Sequence, residues 1–391
     1  GEVFDTAERL NARVVLQGDR RQHGSVERGA TLRVLEEFAG LPVAELKDIR
    51  RQKGRYKQAV ASLAKGDMLD GFDRLAGLGW VKETTEDGYA PLVDEYLAAL
   101  DTKKPRQKDA DRVLVVAPTH AEGAAITGQI RDRLKERGRV ASEGSQVGVL
   151  VPLHWTEAER GDLDRYEGTE VMCFHRNSGT FKAGQTVRIA DWKPGDRFAK
   201  AAHFSVYAPA SIELAAGDRL RITSNGKTKD GKHKLNNGAV YQVGGFTKDG
   251  ELVLDNGWIV DRKFGHLAHG YVATSHASQG KTVDRVLIAM GRESLPAMGA
   301  EQFYVSVSRG RDQATIYSDL TAEELREAIR KADPRKSATE LVGATRAKQK
   351  PKRRAPTLAE RMRATFAQLR EKASAAMSVT RQKEREYGRA R

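Results

Sequence analysis

The sequence predicts an α/β protein: a parallel, helix-covered sheet carrying an all-β insertion and ending in a basic helical or disordered tail. Three observations predict it. Short apolar runs at residues 13–17, 113–117, 285–290 and 314–317 alternate with helical patterns, as in strands buried on both faces. Residues 151–265 instead hold short β-branched or alternating runs broken by Gly, Asn, Asp and Lys. Beyond residue 331 the strand signal ends and charge takes over.

Taken in order, residues 1–45 read as a helix, a buried strand at 13–17, a loop and a second helix. Residues 46–150 open with mixed helical pattern and reach the strand at 113–117. A Pro-Thr-His turn follows, then a helix with apolar positions at Ala121, Ala124, Ala125, Ile130 and Leu134. Within 151–265, runs at 170–174, 186–189, 219–223, 239–243 and 251–254 suggest small antiparallel barrels. Residues 266–330 return to the parallel pattern, and Thr321 with Glu324 forms a capping box that starts a helix. Residues 331–391 form the tail.

The net charge is +14, and the tail holds most of it, with 18 Lys or Arg against 6 Asp or Glu. A polyanion is the partner such a tail suits, although a solvated tail needs none. The one cysteine, Cys173, excludes an internal disulfide framework and fits a reducing, cytoplasmic setting. No apolar run reaches the roughly 18–20 residues of a membrane span, so no membrane insertion is expected. A first residue of Gly rather than Met suggests a fragment or a processed product.

Five segments carry chemistry. In LQGDRRQH, residues 16–23, an apolar run ends so that Gly18, Asp19 and Gln22 would leave the carboxyl edge of the sheet, where ligands of open α/β sheets bind. A neutral amide there can bind a phosphate or an attacking water. In IRRQ, residues 49–52, Arg51 offers a planar, permanently charged fork suited to phosphate, with Gln52 beside it. In VLVVAPTH, residues 113–120, Thr119 places a hydroxyl where a DNA phosphate could meet it, with Arg131 on the next helix. Each of these alone is also an ordinary turn or surface helix.

The fourth segment, YVATSHASQGKTVDRVLI at 271–288, is longer and more specific. Its Gly280-Lys281-Thr282 suggests a phosphate loop, but the leading glycine of G-x-x-x-x-G-K-[ST] is absent. Ser275 and His276 stand at 275 and 276. The polar cluster Thr274, Ser275 and His276 suits a phosphodiester backbone better. The fifth, YVSVSRGR at 304–311, places Arg309 and Arg311 before a buried strand, where an arginine can stabilise a transferring phosphoryl group. No pattern suggests a protein metal site, and with few aromatics no stacking platform for bases is evident.

In this order the segments resemble the RecD-like branch of superfamily 1 DNA helicases, and above all the helicase part of MobF-type (TraI/TrwC) conjugative relaxases. GDRRQHGSVERG, IRRQKGRYKQAV, APTHAEG, NNGAVYQV, TSHASQGKTVDRV, YVSVSRGR and RKSATEL carry the resemblance, over roughly residues 1–345. It implies two RecA-like domains of the P-loop NTPase fold, with ATP in the cleft between them. Residues 1–45 would end the first domain, 46–150 with 266–330 would form the second, and 151–265 would be an SH3-like insertion that clamps DNA. Gln22 would sense the γ-phosphate, and Arg51 and Arg309 would reach it from the second domain. Gly18, Asp19, Gln52, Gln279, Gly280 and Arg311 would line the nucleotide site, with Gln279 coupling it to the DNA. Thr119, Thr274, Ser275, His276 and Asn237 would touch the strand.

Two departures stand out. In many superfamily 1 members an acidic residue contacts the nucleotide sugar, and this chain has Thr282 at that position. No phosphate loop and no Asp-Glu motif is present, so the ligands for Mg²⁺ are expected upstream of Gly1. The sequence therefore suggests the C-terminal part of an ATP-dependent 5′–3′ helicase on single-stranded DNA, inactive as these residues alone. The other reading is a non-catalytic module that binds single-stranded DNA or docks to relaxosome or type IV secretion proteins.

Overall fold

The computed structural model describes residues 2–19, 22, 35–36, 43–44, 48–84, 88–102, 112–191, 200–297 and 299–331. The basic tail expected at 331–391 lies, but for Lys331, outside them.

Five parallel strands form the central sheet: β1 (Val81–Glu83), β2 (Val113–Val116), β14 (Val272–Ala273), β15 (Val283–Ala289) and β16 (Gly310–Ser318). Their spatial order is β1-β16-β15-β2-β14. The apolar runs are near-continuous because both faces are covered. Leu114, Val116, Val286, Ile288, Ala314 and Ile316 point to one face. There they meet α2 (Gly54–Lys65), α3 (Met68–Gly77), α8 (Ala300–Val307) and α9 (Ala322–Lys331). Val113, Val115, Leu287, Ala289 and Tyr317 point to the other face. There they meet α4 (Ala90–Asp101) and α5 (His120–Glu136). The odd–even alternation follows directly from the two-residue period of a strand. Thr321 caps α9 as expected, its hydroxyl accepting from the Glu324 amide at 3.2 Å.

The strands between β2 and β14 are antiparallel. Strands β3 (Ser145–Pro152), β4 (Val171–Phe174), β5 (Thr186–Arg188) and β6 (Phe204–Leu214) make one sheet, ordered β3-β6-β4-β5. Strands β7 (Arg219–Ile222), β10 (Val240–Phe246), β11 (Leu252–Leu254), β12 (Ile259–Val260) and β13 (Leu267–His269) make another, ordered β12-β11-β10-β7-β13. The small ribbon of β8 (Gly226–Lys227) and β9 (Lys234–Leu235) stands beside it. Val147, Val149 and Leu214 of the first sheet share an apolar core with Leu220, Ile222, Val243 and Leu254 of the second. Met172, Phe174, Phe181, Phe204 and Val206 form a separate small core.

One buried carboxylate fastens this antiparallel region to the parallel sheet. Asp218 is fully buried. It receives two bonds from the Arg131 guanidinium of α5, at 2.9 and 2.8 Å, one from the Tyr271 hydroxyl at 2.7 Å, and one from the Ala215 amide at 2.8 Å. Burial pushes its pKa up, but the bonds from Arg131, Ala215 and Tyr271 outweigh that and hold it below the ordinary carboxylate value.

The N-terminal segment departs from expectation. After α1 (Glu2–Arg9), residues 13–17 are not a strand, and Val15 is 88% exposed. An apolar run becomes a buried strand only where a neighbour offers both a ladder and a face, and no described strand does so here. Gly18 and Asp19 therefore do not leave the edge of a sheet.

Candidate functional site

The site is built around the turn from α8 into β16. Arg309 stands on that turn and is 3% exposed. Its Nε donates to the Val305 carbonyl at 2.8 Å and its Nη2 to the Ser308 hydroxyl at 2.9 Å. The segment leading into α2 closes over the same turn. Arg51 Nη1 donates to the Ser308 carbonyl at 2.5 Å, and Gln52 Nε2 donates to the carbonyls of Ser308 at 3.0 Å and Gly310 at 2.5 Å. The Tyr56 hydroxyl donates to the Val307 carbonyl. Glycine is required at 310, because a Cβ would lie 2.4 Å from the Gln313 carbonyl oxygen and 2.8 Å from the Tyr56 hydroxyl.

Three polar residues extend the site. The Tyr304 hydroxyl donates to Asp19 at 3.2 Å, Gln22 Nε2 donates to the same carboxylate oxygen at 3.1 Å, and Gln279 Nε2 reaches Gln22 Oε1 at 3.4 Å. The structure thus brings Asp19, Gln22, Arg51, Gln52, Gln279 and Arg309 together. Gly18 precedes Asp19 in the same exposed segment. Arg311 turns aside to pair with Asp284 at 3.0 Å.

Electrostatics set the character of this place. Burial, and then the Arg51 charge, push the Arg309 pKa down to about 10. Burial lowers that of Arg51 as well. Burial, together with Asp19, raises the Tyr304 hydroxyl to about 12. The Asp19 carboxylate, bonded to the Tyr304 hydroxyl, acts in the opposite sense on Arg309. Two converging guanidiniums against the single carboxylate of Asp19 fit a polyphosphate. Magnesium is another matter, since no group of three or more His, Cys, Asp or Glu among the described residues could hold a metal ion.

The expected strand-contacting residues lie at the opposite edge of the sheet. Parallel β2 and β14 end side by side, with the Ala117 amide donating to the Ala273 carbonyl at 3.0 Å. Thr119 and Thr274 follow, and each caps a helix. Thr119 accepts from the Glu122 amide, and Thr274 from the Ala277 amide at the start of α7 (Ser275–Ser278). His276 is exposed, whereas Ser275 is 1% exposed and turned inward. Arg309 precedes β16 at the other edge, where its carbonyl accepts from the Val283 amide at 3.1 Å. The chain from Thr274 to Thr282 therefore crosses the sheet, a strand length of roughly 20 Å. Gly280, at φ +82°, turns it back toward β15.

Asn237 is not part of either group. It lies on the antiparallel region, its amide bonded to the Asn225 side chain at 2.8 Å. The same region holds an aromatic stack that the low aromatic content concealed. The His233 ring lies 4.4 Å from that of Trp258 at 9°, and Tyr241 lies 5.9 Å from Trp258. His233 and Trp258 are 25 positions apart, so only the folded sheet joins them.

No described helix is long and apolar enough to cross a membrane. Residues 1–86 match the AAA domain family. Over 339 residues the chain is 24% identical to the conjugal transfer protein TraA of Rhizobium radiobacter, covering 86% of this chain and 24% of that protein. Over 360 residues it is 22% identical to the multifunctional conjugation protein TraI of Escherichia coli strain K12, covering 78% and 20%. Among solved structures, Bacteroides Pif1 bound to single-stranded DNA is 15% identical, with a TM-score of 0.36 over 77% of this chain and 55% of that one. The chain spans about a quarter of the length of the curated relatives it matches. The likeness read from the motifs is thus found again over most of the chain: it is similar in sequence to conjugal transfer proteins of the TraA and TraI kind.

Proposed function

We propose that this chain is part of an ATP-dependent DNA helicase that moves 5′ to 3′ on single-stranded DNA, within a conjugative relaxase–helicase. One observation carries the reading: Arg51 and Arg309, from distant segments, converge on Ser308 beside Asp19, Gln22 and Gln279. The division follows the parallel and antiparallel strands. Residues 1–45 complete a first RecA-like domain, 46–150 and 266–330 form the second, and 151–265 form an SH3-like insertion.

ATP is the substrate, and its phosphates face the two guanidiniums. Arg309, held by the Val305 carbonyl and the Ser308 hydroxyl, is aimed before the reaction begins, so its charge stabilises the phosphoryl transition state without reorganising. Arg51 adds a second charge from the other side. Gln22 holds the water or the γ-phosphate, and its contact with Gln279 links the site to the segment that ends at Thr274. Movement of that segment shifts Thr119, Thr274 and His276 along the strand. Magnesium would supply charge neutralisation between phosphates. It finds no ligand set among the described residues, and no step above runs through it.

A second reading, a non-catalytic module for single-stranded DNA, is favoured by the His233–Trp258 stack, since stacked aromatic planes suit bases. Strand displacement separates the two. A longer polypeptide in which these residues follow a phosphate-loop domain unwinds a duplex with a 5′ tail and not one with a 3′ tail. The 391 residues alone bind an oligonucleotide and hydrolyse no ATP. DNA-stimulated hydrolysis by these residues alone contradicts the proposal.

A further inference from the structure

Lys281 belongs to the Gly-Lys-Thr string that does not make a phosphate loop, and the nucleotide site does not use it. It stands on the turn between α7 and β15, its amide donating to the Ser278 carbonyl at 3.0 Å. The antiparallel region attaches at this edge of the sheet. There the Gly270 amide donates to the Arg219 carbonyl at 2.8 Å, and the Arg219 amide to the Tyr271 hydroxyl at 3.2 Å.

Strand β7 alternates. Leu220 and Ile222 enter the apolar core, so Arg219 and Arg221 face the other way. The Arg219 guanidinium lies over the Tyr96 ring of α4, 5.8 Å from its centre. Arg221 Nε is shut off from water and has no hydrogen-bond partner. The Lys281 ammonium lies within reach of the charges of both guanidiniums, and its side chain has no carboxylate or hydrogen-bond partner among the described residues. Burial and these two like charges push its pKa below the lysine range. Lys281 and Arg221, two cations in a partly buried place with no side-chain partner among the described residues, are unfavourable until an anion joins them.

We infer that Lys281 and Arg221, beside Arg219, bind a phosphodiester of single-stranded DNA where the antiparallel region meets the parallel sheet, apart from Thr119, Thr274 and His276. The inference rests on the proposed reading of the chain as one that tracks a DNA strand. A nucleotide triphosphate suits the place less well. The Gln279 and Lys281 amides are spent on the His276 and Ser278 carbonyls, at 3.1 and 3.0 Å, so they are not offered as a cradle for several phosphates. Side-chain charges on two separate elements suit one phosphate at a time on a passing strand.

The test uses the full 391-residue chain, with Lys281→Gln, Arg221→Gln, the charge-keeping Lys281→Arg, and Lys65→Gln as an exposed control. Binding of an oligothymidylate is followed by anisotropy across a salt series, and unfolding by a thermal scan. Lys281→Gln is expected to unfold at or above the wild-type temperature, because it removes a like-charge contact. It should also lose about 0.7 from the slope of log K against log salt. Arg221→Gln should lose a similar slope, while Lys281→Arg and Lys65→Gln keep it. An unchanged slope in Lys281→Gln and Arg221→Gln, with DNA still bound, overturns this inference and leaves the helicase reading standing. A wild-type chain that binds no oligonucleotide overturns both. If ATP rather than the oligonucleotide loses its stabilising effect in Lys281→Gln, the site belongs to a nucleotide and the inference fails.

Discussion

Arg51 and Arg309 hold the same residue from two sides: one donates to the Ser308 carbonyl at 2.5 Å, the other to the Ser308 hydroxyl at 2.9 Å. Arg51 and Ser308 are 257 positions apart in the sequence. Serine therefore sets the spacing of the two charges. In a polypeptide competent for ATP turnover, Ser308→Ala keeps the carbonyl contact and frees one bond of Arg309. A lost hydrogen bond to a charged group is worth about 1.5–3 kcal/mol. Turnover should fall about 10–100-fold, and the thermal midpoint should fall too, since the buried hydroxyl also donates to the Val305 carbonyl at 3.0 Å. A steady-state assay and a thermal scan on the same sample check both halves.

Asp218 is the stability residue. Asp218→Ala leaves the Arg131 guanidinium only Glu213, at 3.6 Å, and deprives the Tyr271 hydroxyl of its acceptor; breaking such a buried pair costs about 3–5 kcal/mol. Urea unfolding should show that loss. The antiparallel region should detach first, which limited proteolysis around residues 215–219 would report.

The same carboxylate sets an acid limit. Its pKa in the fold lies below the ordinary value of 3.8. The stabilisation is therefore complete above the unfolded-state value and is lost as pH falls through the folded one. Stability measured between pH 6 and pH 2 should drop at the acid end, and Asp218→Asn should flatten that drop. An identical acid profile in the variant would show that other carboxylates carry the effect.

The strand-side residues divide into those that cap and those that only contact. Thr119→Ala and Thr274→Ala each remove a helix cap, worth about 1 kcal/mol, so both stability and DNA affinity should fall. His276 is exposed, so His276→Ala should weaken oligonucleotide binding at a smaller cost in unfolding temperature than either threonine change. Parallel anisotropy and thermal measurements distinguish the two patterns.

The parallel strands were legible because residues 113–117, 285–290 and 314–317 are apolar on both faces. The long antiparallel pair of β3 and β6 was not. In β3 only Val147 and Val149 are buried, and β6 carries Pro209. That proline is tolerated because β4 pairs only with residues 204–207, so at position 209 the strand has β3 on one side alone. The run at residues 13–17 misled because apolarity shows a need for burial, not the presence of a neighbour. Among site residues, Arg51, Gln22 and Arg309 could be named from motif order. Asp218, Lys281 with Arg221, and the His233–Trp258 stack could not, since each depends on contacts between segments that no local pattern encodes.

The most direct measurement is DNA-stimulated ATP turnover of a polypeptide that joins these residues to a phosphate-loop domain, comparing wild type with Arg51→Ala, Arg309→Ala and Arg309→Lys. Catalytic arginines of this kind are worth about 10³–10⁵ in rate. The account predicts a loss of that order for Arg309→Ala, a substantial loss for Arg51→Ala, little rescue by lysine, and unchanged affinity for single-stranded DNA. Near wild-type turnover in Arg309→Ala would contradict it.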